Sequence, residues 1–258
     1  MYKRQPSARP RADVGNLDPA PTGAIERPEN AAATLSVLQA LAANGDATAQ
    51  YELAVRHADG KDVARDPKVA AQWFEKSATK GLAPAQYRLG VVYERGLGVA
   101  RDPSLAKLWY QRAAERGNVR AMHNLAVLLA DGAGGKPDYT EAAQWFRRAA
   151  EFGVRDSQYN LAILYARGMG GPADMVQSYA WFAAAAAQGD DDAAKKRDEL
   201  AGRIDAKALA RAKDIVASYR ARQPEPAVNE VAPPPGGWKA PPPKGDAKAG
   251  VRPKMTKL

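Results

Sequence analysis

The feature that most constrains the fold of this chain is a repeat with a period of 36 residues. Four series of identical residues keep this spacing through four copies, which a chance pattern would not do. A fixed period of about 20–50 residues is typical of proteins built from stacked units, each packing mainly on its neighbours. The series are Leu53, Leu89, Leu125 and Leu161; Gly60, Gly96, Gly132 and Gly168; Trp73, Trp109, Trp145 and Trp181; and Gly81, Gly117, Gly153 and Gly189.

Within each unit the pattern predicts two short antiparallel helices. In the second unit, PAQYRLGVVYERG has apolar residues at helical spacing and ends at Gly96, which suits the left-handed conformation that closes a helix. Asp102 and Pro103 are then a favourable N-cap and first residue for the next helix, LWYQRAAERG. Asp138 and Glu141 have the spacing of a capping box. We therefore predict an all-α, right-handed solenoid of four helix–turn–helix repeats, spanning 46–81, 82–117, 118–153 and 154–190.

The segments on either side of the repeats are predicted to cap them or to be disordered. An apolar helix at 29–45 carries half of the repeat pattern and is predicted to cap the N-terminal end. Residues 191–222 place polar residues where the repeat is apolar, as expected for a C-terminal cap. The Pro-rich residues 1–28 and the Pro-rich basic tail 223–258 are predicted to be disordered.

The first five residues, MYKRQ, have a separate interpretation. They match the translated end of a transposon adapter used in preparing sequencing libraries, which favours a sequencing artefact at 1–5. The alternative is a genuine basic start. Under the first interpretation the true N-terminus is missing, and the absence of a visible signal peptide or membrane anchor carries little information.

The residue composition argues against an enzyme. The chain has no cysteine, which excludes disulfides, thiol catalysis and thiolate metal sites. Its two histidines, His57 and His123, occupy different positions of the repeat and are interpreted as structural. The glycine-rich segments at 132–135 and 168–171 follow predicted helices, whereas a phosphate-binding loop follows a strand. We predict no catalytic residue, no cofactor and no metal.

The net charge is +9, and most of the excess lies in residues 191–258. This basic tail lacks the interleaved aromatic residues of a nucleic-acid binder, so we predict no nucleic-acid partner and interpret the tail as solvated. No apolar run reaches the roughly 18–20 residues that span a bilayer.

The tryptophans divide into two groups. Trp73, Trp109, Trp145 and Trp181 lie among alanines on the second helix of each unit, which predicts core positions rather than carbohydrate stacking. Trp238 stands alone between two PPP runs. The sequence offers two interpretations of Trp238, an anchor of a linear motif for a partner or an unremarkable residue of a solvated tail.

In related superhelical repeat proteins the first helix of each unit lines the concave face, which implies that residues one period apart form rows along a groove in this chain. The sequence places polar side chains in one row, with Arg120 one turn before it, and apolar side chains in a second row. Such a groove would suit an extended peptide, and a solvated row without ligand is the alternative. The candidate peptide-binding residues are Glu52, Arg88, Arg120, Asn124 and Asn160, with Val55, Val91, Val127 and Ile163.

The unit AxAQYxLGxxYxxGxGVxxDxxxAxxWYxxAAxxG resembles the Sel-one-like repeat, a relative of the tetratricopeptide repeat. Three further segments resemble the C-terminal part of PodJ-type polar localisation factors of alphaproteobacteria: LSVLQALAANGDATAQYELA, RAMHNLAVLLADGAGG and NEVAPPPGGW. That resemblance implies a periplasmic repeat module downstream of a coiled coil and one membrane helix. Some members of that family bind peptidoglycan through a further domain, in the place of which this chain has its tail.

The resemblance implies a non-enzymatic protein–protein interaction scaffold in polar localisation or cell division, located in the periplasm. The alternative function is a soluble periplasmic repeat regulator that binds and restrains a sensor kinase. The alternative location is the cytoplasm. In both functional hypotheses the partner is a protein or peptide.

Overall fold

The structure, a computed structural model, describes residues 28–133, 135–234 and 237–238. The predicted artefact at 1–5, the predicted disordered start as far as residue 27, and residues 239–258 of the tail lie outside the described residues. The described chain folds into these helices: α1 (Pro28–Ala43), α2 (Ala47–Asp59), α3 (Pro67–Thr79), α4 (Ala83–Arg95), α5 (Pro103–Glu115), α6 (Val119–Asp131), α7 (Tyr139–Glu151), α8 (Arg155–Arg167), α9 (Met175–Ala186), α10 (Asp191–Ala201), α11 (Ala206–Ser218) and α12 (Pro226–Asn229).

The helices α2 to α9 form four consecutive pairs, one for each predicted repeat. Each helix packs against the helix before it and the helix after it, so neighbours in sequence are neighbours in space. Between residues 28 and 234, the described part contains helices and turns but no strand. The prediction of an all-α solenoid with four helix–turn–helix repeats is confirmed. None of the helices in the described part is both long enough and apolar enough to cross a bilayer.

The helix ends form where the sequence places capping residues. The carboxylate of Asp102 accepts hydrogen bonds from the amides of Ser104 and Leu105, at 2.9 and 3.0 Å. Asp138 likewise accepts from the amide of Glu141 at 2.9 Å, but the capping box is incomplete. The Glu141 carboxylate accepts a bond from the indole of Trp145 at 3.3 Å instead of closing back on the helix end.

The core is built from the same positions in every unit. The leucines of the four-residue series are at most 1% exposed. The most deeply buried aromatic residue is the one that follows each tryptophan, whereas Trp109 and Trp145 are buried and Trp73 and Trp181 only half-buried. In each unit this aromatic ring meets a ring from the first helix at 5.4–6.0 Å, in the pairs Tyr51–Phe74, Tyr87–Tyr110, His123–Phe146 and Tyr159–Phe182.

One glycine is required for the close approach of two helices. Gly90 of α4 faces Tyr110 of α5, and a methyl group at Gly90 would lie 2.5 Å from the tyrosine ring. The corresponding residues of the other units are alanines, which face phenylalanines. The tyrosine ring of the second unit takes the space that a side chain at Gly90 would need.

Both ends of the array are capped by helices. At the N-terminal end, Leu38 and Ala42 of α1 are buried in a cluster with Ala49 and Leu53 of α2. At the C-terminal end, α10 and α11 pack against α9 and bury Leu200 and Ala212, among others.

The described part of the tail lies along the repeats and not in solvent. After α11 the chain turns back and runs towards the N-terminal end, touching the turns between successive repeats at Gly153 and then Gly117. Trp238 ends this path in the α1–α2 cluster, 9% exposed. The structure therefore differs from the predicted disorder over 223–234 and at Trp238, because specific residues of this segment find buried partners on the solenoid.

Candidate interaction surfaces

The predicted groove residues differ widely in their exposure. Glu52, Val55, Arg88 and Ile163 are half-buried, and Arg120 is exposed. Asn124, Asn160, Val91 and Val127 are buried, at 8%, 5%, 5% and 4% exposure. The sequence pattern correctly placed all of them on the first helix of each unit. It did not distinguish the side chains that face the groove from those that pack inward.

Two of the predicted polar groove residues are engaged inside the protein. The amide of Asn124 donates to the Tyr110 hydroxyl at 3.2 Å, and that hydroxyl donates to Glu94 at 2.6 Å. Burial and the charge of Glu94 raise the pKa of Tyr110 well above its usual value, so the phenol stays neutral. Glu52 accepts a bond at 3.0 Å from Arg56, which also pairs with Asp62 at 2.9 Å. A ligand would have to compete with these contacts.

Three of the predicted residues, Val55, Arg88 and Val91, do come together. They line a pocket of about 150 Å³ between α2 and α4 that reaches the start of α3. Its apolar lining consists of Val55, Ala58, Pro67, Ala70, Phe74, Val91, Val92 and Leu97. Its charged residues are Arg65, Arg88, Arg95 and Asp59. We call this site the α2–α4 pocket. It combines an apolar interior with three positive charges and one negative charge.

A second surface is formed by four turns, the one that joins the N-terminal capping helix to the first unit and the three that join successive units. We call it the turn row and define it by Gly45, Gly81, Gly117 and Gly153 with the helix ends beside them. All four glycines have positive φ, between 83° and 98°. Sequence reasoning did not identify this surface as a binding site, because the glycines there were read as helix stops.

The last turn, at Gly153, holds Tyr219. The Tyr219 hydroxyl donates to the carbonyl of Ala150 at 2.8 Å and accepts from the amide of Gln158 at 3.0 Å. Its ring meets Trp181 edge-on, with the ring centres 5.5 Å apart. Next to it, the backbone amide of Arg222 donates to the Glu151 carbonyl at 2.8 Å.

The turn at Gly117 holds the short helix α12. The side chain of Asn118 donates to the carbonyl of Val228 at 2.7 Å, and the Asn229 side chain accepts from the backbone amide of Val119 at 2.8 Å. The first backbone amides of any helix have no acceptor within that helix. Asn229 supplies an acceptor to one of these amides at the start of α6.

The first turn, at Gly45, lies beside the Trp238 cluster. Trp238 is buried with Ala42 and Ala49, which flank Gly45 in sequence, and with Leu38 and Leu53. Its possible role as a partner's anchor stays a prediction, but in this structure its partners belong to the same chain. The sequence drew attention to Trp238 because it is a lone aromatic residue in a proline-rich tail. Tyr219 lies in the predicted capping segment 191–222, where an aromatic residue does not suggest a contact with a distant turn.

The turn at Gly81 has an open pocket of about 440 Å³, which we call the Gly81 pocket. It is lined by Ala78, Thr79, Gly81, Gln86, Arg112, Glu115 and Arg116. Gln86 is 4% exposed, and its amide donates to the Ala78 carbonyl at 3.2 Å. Among the described residues, the oxygen of the Gln86 side chain has no hydrogen-bond partner.

The two histidines lie in packing environments. His123 is 1% exposed, with its Nδ1 2.7 Å from the Ser157 hydroxyl and its ring against Phe146. His57 is half-buried on α2. Over the part of the chain that the structure describes, no group of three or more histidine or acidic side chains could hold a metal ion.

The Sel1 repeat family model matches residues 47–82, 83–118, 119–153 and 155–190, which is more than half of the chain. A solved structure of a Sel1 repeat protein from Oxalobacter formigenes is similar, with 32% identity and a TM-score of 0.59 over 66% of this chain and 49% of that one. Another, a protective antigen of uropathogenic Escherichia coli strains with an SLR fold, has 28% identity and a TM-score of 0.45 over 70% and 47% of the two chains. No curated protein matches the sequence significantly.

The chain spans about half the length of these two solved relatives. Sel1 repeat proteins generally act as scaffolds for protein–protein interaction. The repeat pattern, the paired helices and the family match agree on the same four units. This chain belongs to the Sel1 repeat family.

Proposed function

We propose that this protein is a non-enzymatic scaffold that binds an extended segment of a protein partner at the α2–α4 pocket. The observation that carries the proposal is the apolar pocket with Arg65, Arg88 and Arg95 among its charged residues. Arg88 is half-buried, while Arg65 and Arg95 are exposed, so guanidinium groups surround an apolar interior.

This arrangement favours a peptide with an apolar side chain next to a carboxylate. The apolar side chain would gain free energy by leaving water, at about 25 cal/mol for each Å² buried. A carboxylate beside it would pair with guanidinium groups, which bind carboxylates through two parallel hydrogen bonds. Asp59 would disfavour a second acidic group at its own edge of the pocket.

A peptide library displayed on phage tests this proposal. We expect the full chain to select peptides that combine acidic and apolar residues. Replacing both Arg88→Glu and Arg95→Glu should weaken the selected peptides at least tenfold, because charge-assisted hydrogen bonds contribute roughly 1.5–3 kcal/mol. The matched control is Arg203→Glu with Arg211→Glu, which lowers the net charge equally on exposed residues of the C-terminal cap. Equal weakening by both pairs would contradict a specific site.

We further propose that the scaffold serves polar localisation or cell division in the periplasm. The support is the resemblance of three segments, 35–54, 120–135 and 229–238, to PodJ-type factors. Two of these segments also contact one another, since Trp238 packs on Leu38 and Leu53. A periplasm-compatible fluorescent fusion, expressed from the native locus, should form a focus at one cell pole and be released with the periplasmic fraction. A diffuse cytoplasmic signal would contradict this assignment.

A further inference from the structure

The internal repeat gives each position of the turn row several structural equivalents in the same molecule. The Gly81 pocket and the Tyr219 site at Gly153 lie two units apart. Ala78 corresponds to Ala150, and Gln86 corresponds to Gln158. In both places the glutamine amide donates to the alanine carbonyl, at the same distance of 3.2 Å. The polar groups that hold the Tyr219 hydroxyl are therefore present again at Gly81.

We propose that the Gly81 pocket binds the phenolic side chain of a tyrosine in a partner protein. The hydroxyl would donate to the Ala78 carbonyl and accept from Gln86, as the Tyr219 hydroxyl does with Ala150 and Gln158. No described residue of the C-terminal segment lines this pocket, whereas such residues occupy the other three turns.

The buried glutamine has a second polar atom, its side-chain oxygen, that a ligand donor other than the phenol would satisfy. Gln86 is 4% exposed and this oxygen has no partner among the described residues, as is also true of the Gln50 oxygen beside the Trp238 cluster. At the equivalent position, the oxygen of Gln158 accepts a bond from Gln188 at 2.8 Å. Buried polar atoms normally have a hydrogen-bond partner, and their absence often indicates a missing one.

The walls of the two sites differ in a way that sets the charge of the ligand. Trp181 meets Tyr219, but the face of the corresponding Trp109 is covered by Arg112, whose guanidinium lies 4.6 Å from the ring centre. A bound ring would therefore contact Arg112, a favourable arrangement for a cation and an aromatic face. Arg116 replaces Gln188 at the edge. The site fits a tyrosine followed or preceded by acidic residues better than the basic Tyr219 segment.

The remaining turns show which residues would abolish the site. In the third unit Met122 takes the place of the glutamine, and the turn at Gly117 is held by Asn118 and Val119 instead. Met122 is 5% exposed in an intact helix, so methionine is compatible with the fold at this position. Gln86→Met is therefore a variant that removes the polar group while the repeat provides its own precedent for folding.

The experiment is a titration of the ¹⁵N-labelled full chain with N-acetyl-tyrosinamide, compared with N-acetyl-phenylalaninamide. We expect shifts at the Gly81 backbone and Gln86 side-chain amides, with the tyrosine probe binding about fivefold to tenfold more tightly, as one net hydrogen bond gives. In Gln86→Met this preference should fall, because the hydroxyl loses the bond from Gln86 and keeps only the one to the Ala78 carbonyl. In the control Gln50→Met, whose turn is covered by Trp238, the preference should be unchanged.

Three results would overturn the proposal. One is the absence of saturable shifts at Gly81 in the wild-type chain. Another is an unchanged preference in Gln86→Met. The third is loss of preference in Gln158→Met but not in Gln86→Met, which would mean that the probe displaces Tyr219. Nuclear Overhauser effects between the probe ring and the Gln86 amide in the wild-type chain would show directly, without a variant, that the probe lies in the Gly81 pocket.

This site deepens the proposed scaffold function but can fail separately from it. The Arg88→Glu, Arg95→Glu variant should keep the tyrosine preference, because those residues line the α2–α4 pocket. Conversely, Gln86→Met should keep its affinity for peptides selected by that pocket. Loss of only one of the two activities in a variant identifies which proposal is wrong.

Discussion

The repeats and the C-terminal segment are held in the fold by different means. In the repeats, every unit contributes the same leucine, a pair of rings at the same two positions and an aspartate that caps its second helix. The buried clusters follow one another along the chain. The segment from Tyr219 to Trp238 is held at separated points, the phenol of Tyr219, the side chain of Asn229 and the indole of Trp238. All residues at 220–227 are exposed.

This difference implies that the two regions respond differently to damage. A lost core contact in a repeat weakens its own unit and the interfaces with its neighbours, because stability in a solenoid comes from nearest neighbours. A lost anchor in the C-terminal segment weakens the docking of that segment. The resulting loss of stability cannot exceed the free energy of docking. We therefore expect the segment to leave the turn row more readily than the repeats unfold.

The largest expected effect is in the core of the third repeat. Phe146 is 0% exposed, so Phe146→Ala should lower the free energy of unfolding by about 3–5 kcal/mol, the usual range for a deleted core aromatic. The measurement is urea unfolding followed by circular dichroism. The matched control is Phe152→Ala, since Phe152 is half-buried and contacts Arg222 of the C-terminal segment. Phe152 packs against the same core cluster as Phe146, so a control loss as large as that of Phe146 would mean that the depth of burial does not set the cost in this repeat.

The sequence was sufficient to predict the repeats for a physical reason. Four copies of Leu53, Trp73 and the two glycine series are four observations of one local structure, so the pattern averages out accidental residues. The Asp–Pro helix starts and the left-handed glycines at 60, 96, 132 and 168 were predicted correctly because they depend on local backbone chemistry. The deeper burial of the aromatic residue that follows each tryptophan was not predicted, because the two neighbouring positions repeat with the same period.

The candidate surfaces were harder to predict because they depend on contacts between distant segments. The sequence correctly brought Arg88 and Val91 to one region, but Asn124 faces Tyr110, which is an interaction inside one unit. Trp238 and Leu38 lie at opposite ends of the described chain and occur once each. Without a second copy, nothing in the sequence indicates that they meet.

A smaller effect is expected at the end of the C-terminal segment. Trp238→Ala removes an indole that is 9% exposed between α1 and α2. We expect trypsin to cut after Arg220 or Arg222 about tenfold faster than in the wild type. Cleavage requires local release of the segment, and the substitution lowers the free energy of that release by roughly 1.4 kcal/mol. Resistance of the repeats should be unchanged. Faster cleavage throughout the repeats would show that Trp238 stabilises the whole array rather than docking alone.

The smallest expected effect is a pH dependence of docking at the last turn. Burial raises the pKa of Tyr219 above its usual value, the charge of Glu151 adds to this, and the hydrogen bond from Gln158 opposes it. Because the docked pKa is higher than the free one, docking is fully stabilised below the free value of about 10 and loses stability as the pH rises through the docked value. Subtilisin cleavage between Tyr219 and Glu230 should therefore accelerate from pH 9 to 10.5. The rate is taken relative to Tyr219→Phe, which lacks an ionisable phenol, so the protease's own pH dependence cancels. If the ratio of the wild-type rate to the Tyr219→Phe rate stays constant across this range, ionisation of the Tyr219 hydroxyl does not weaken docking.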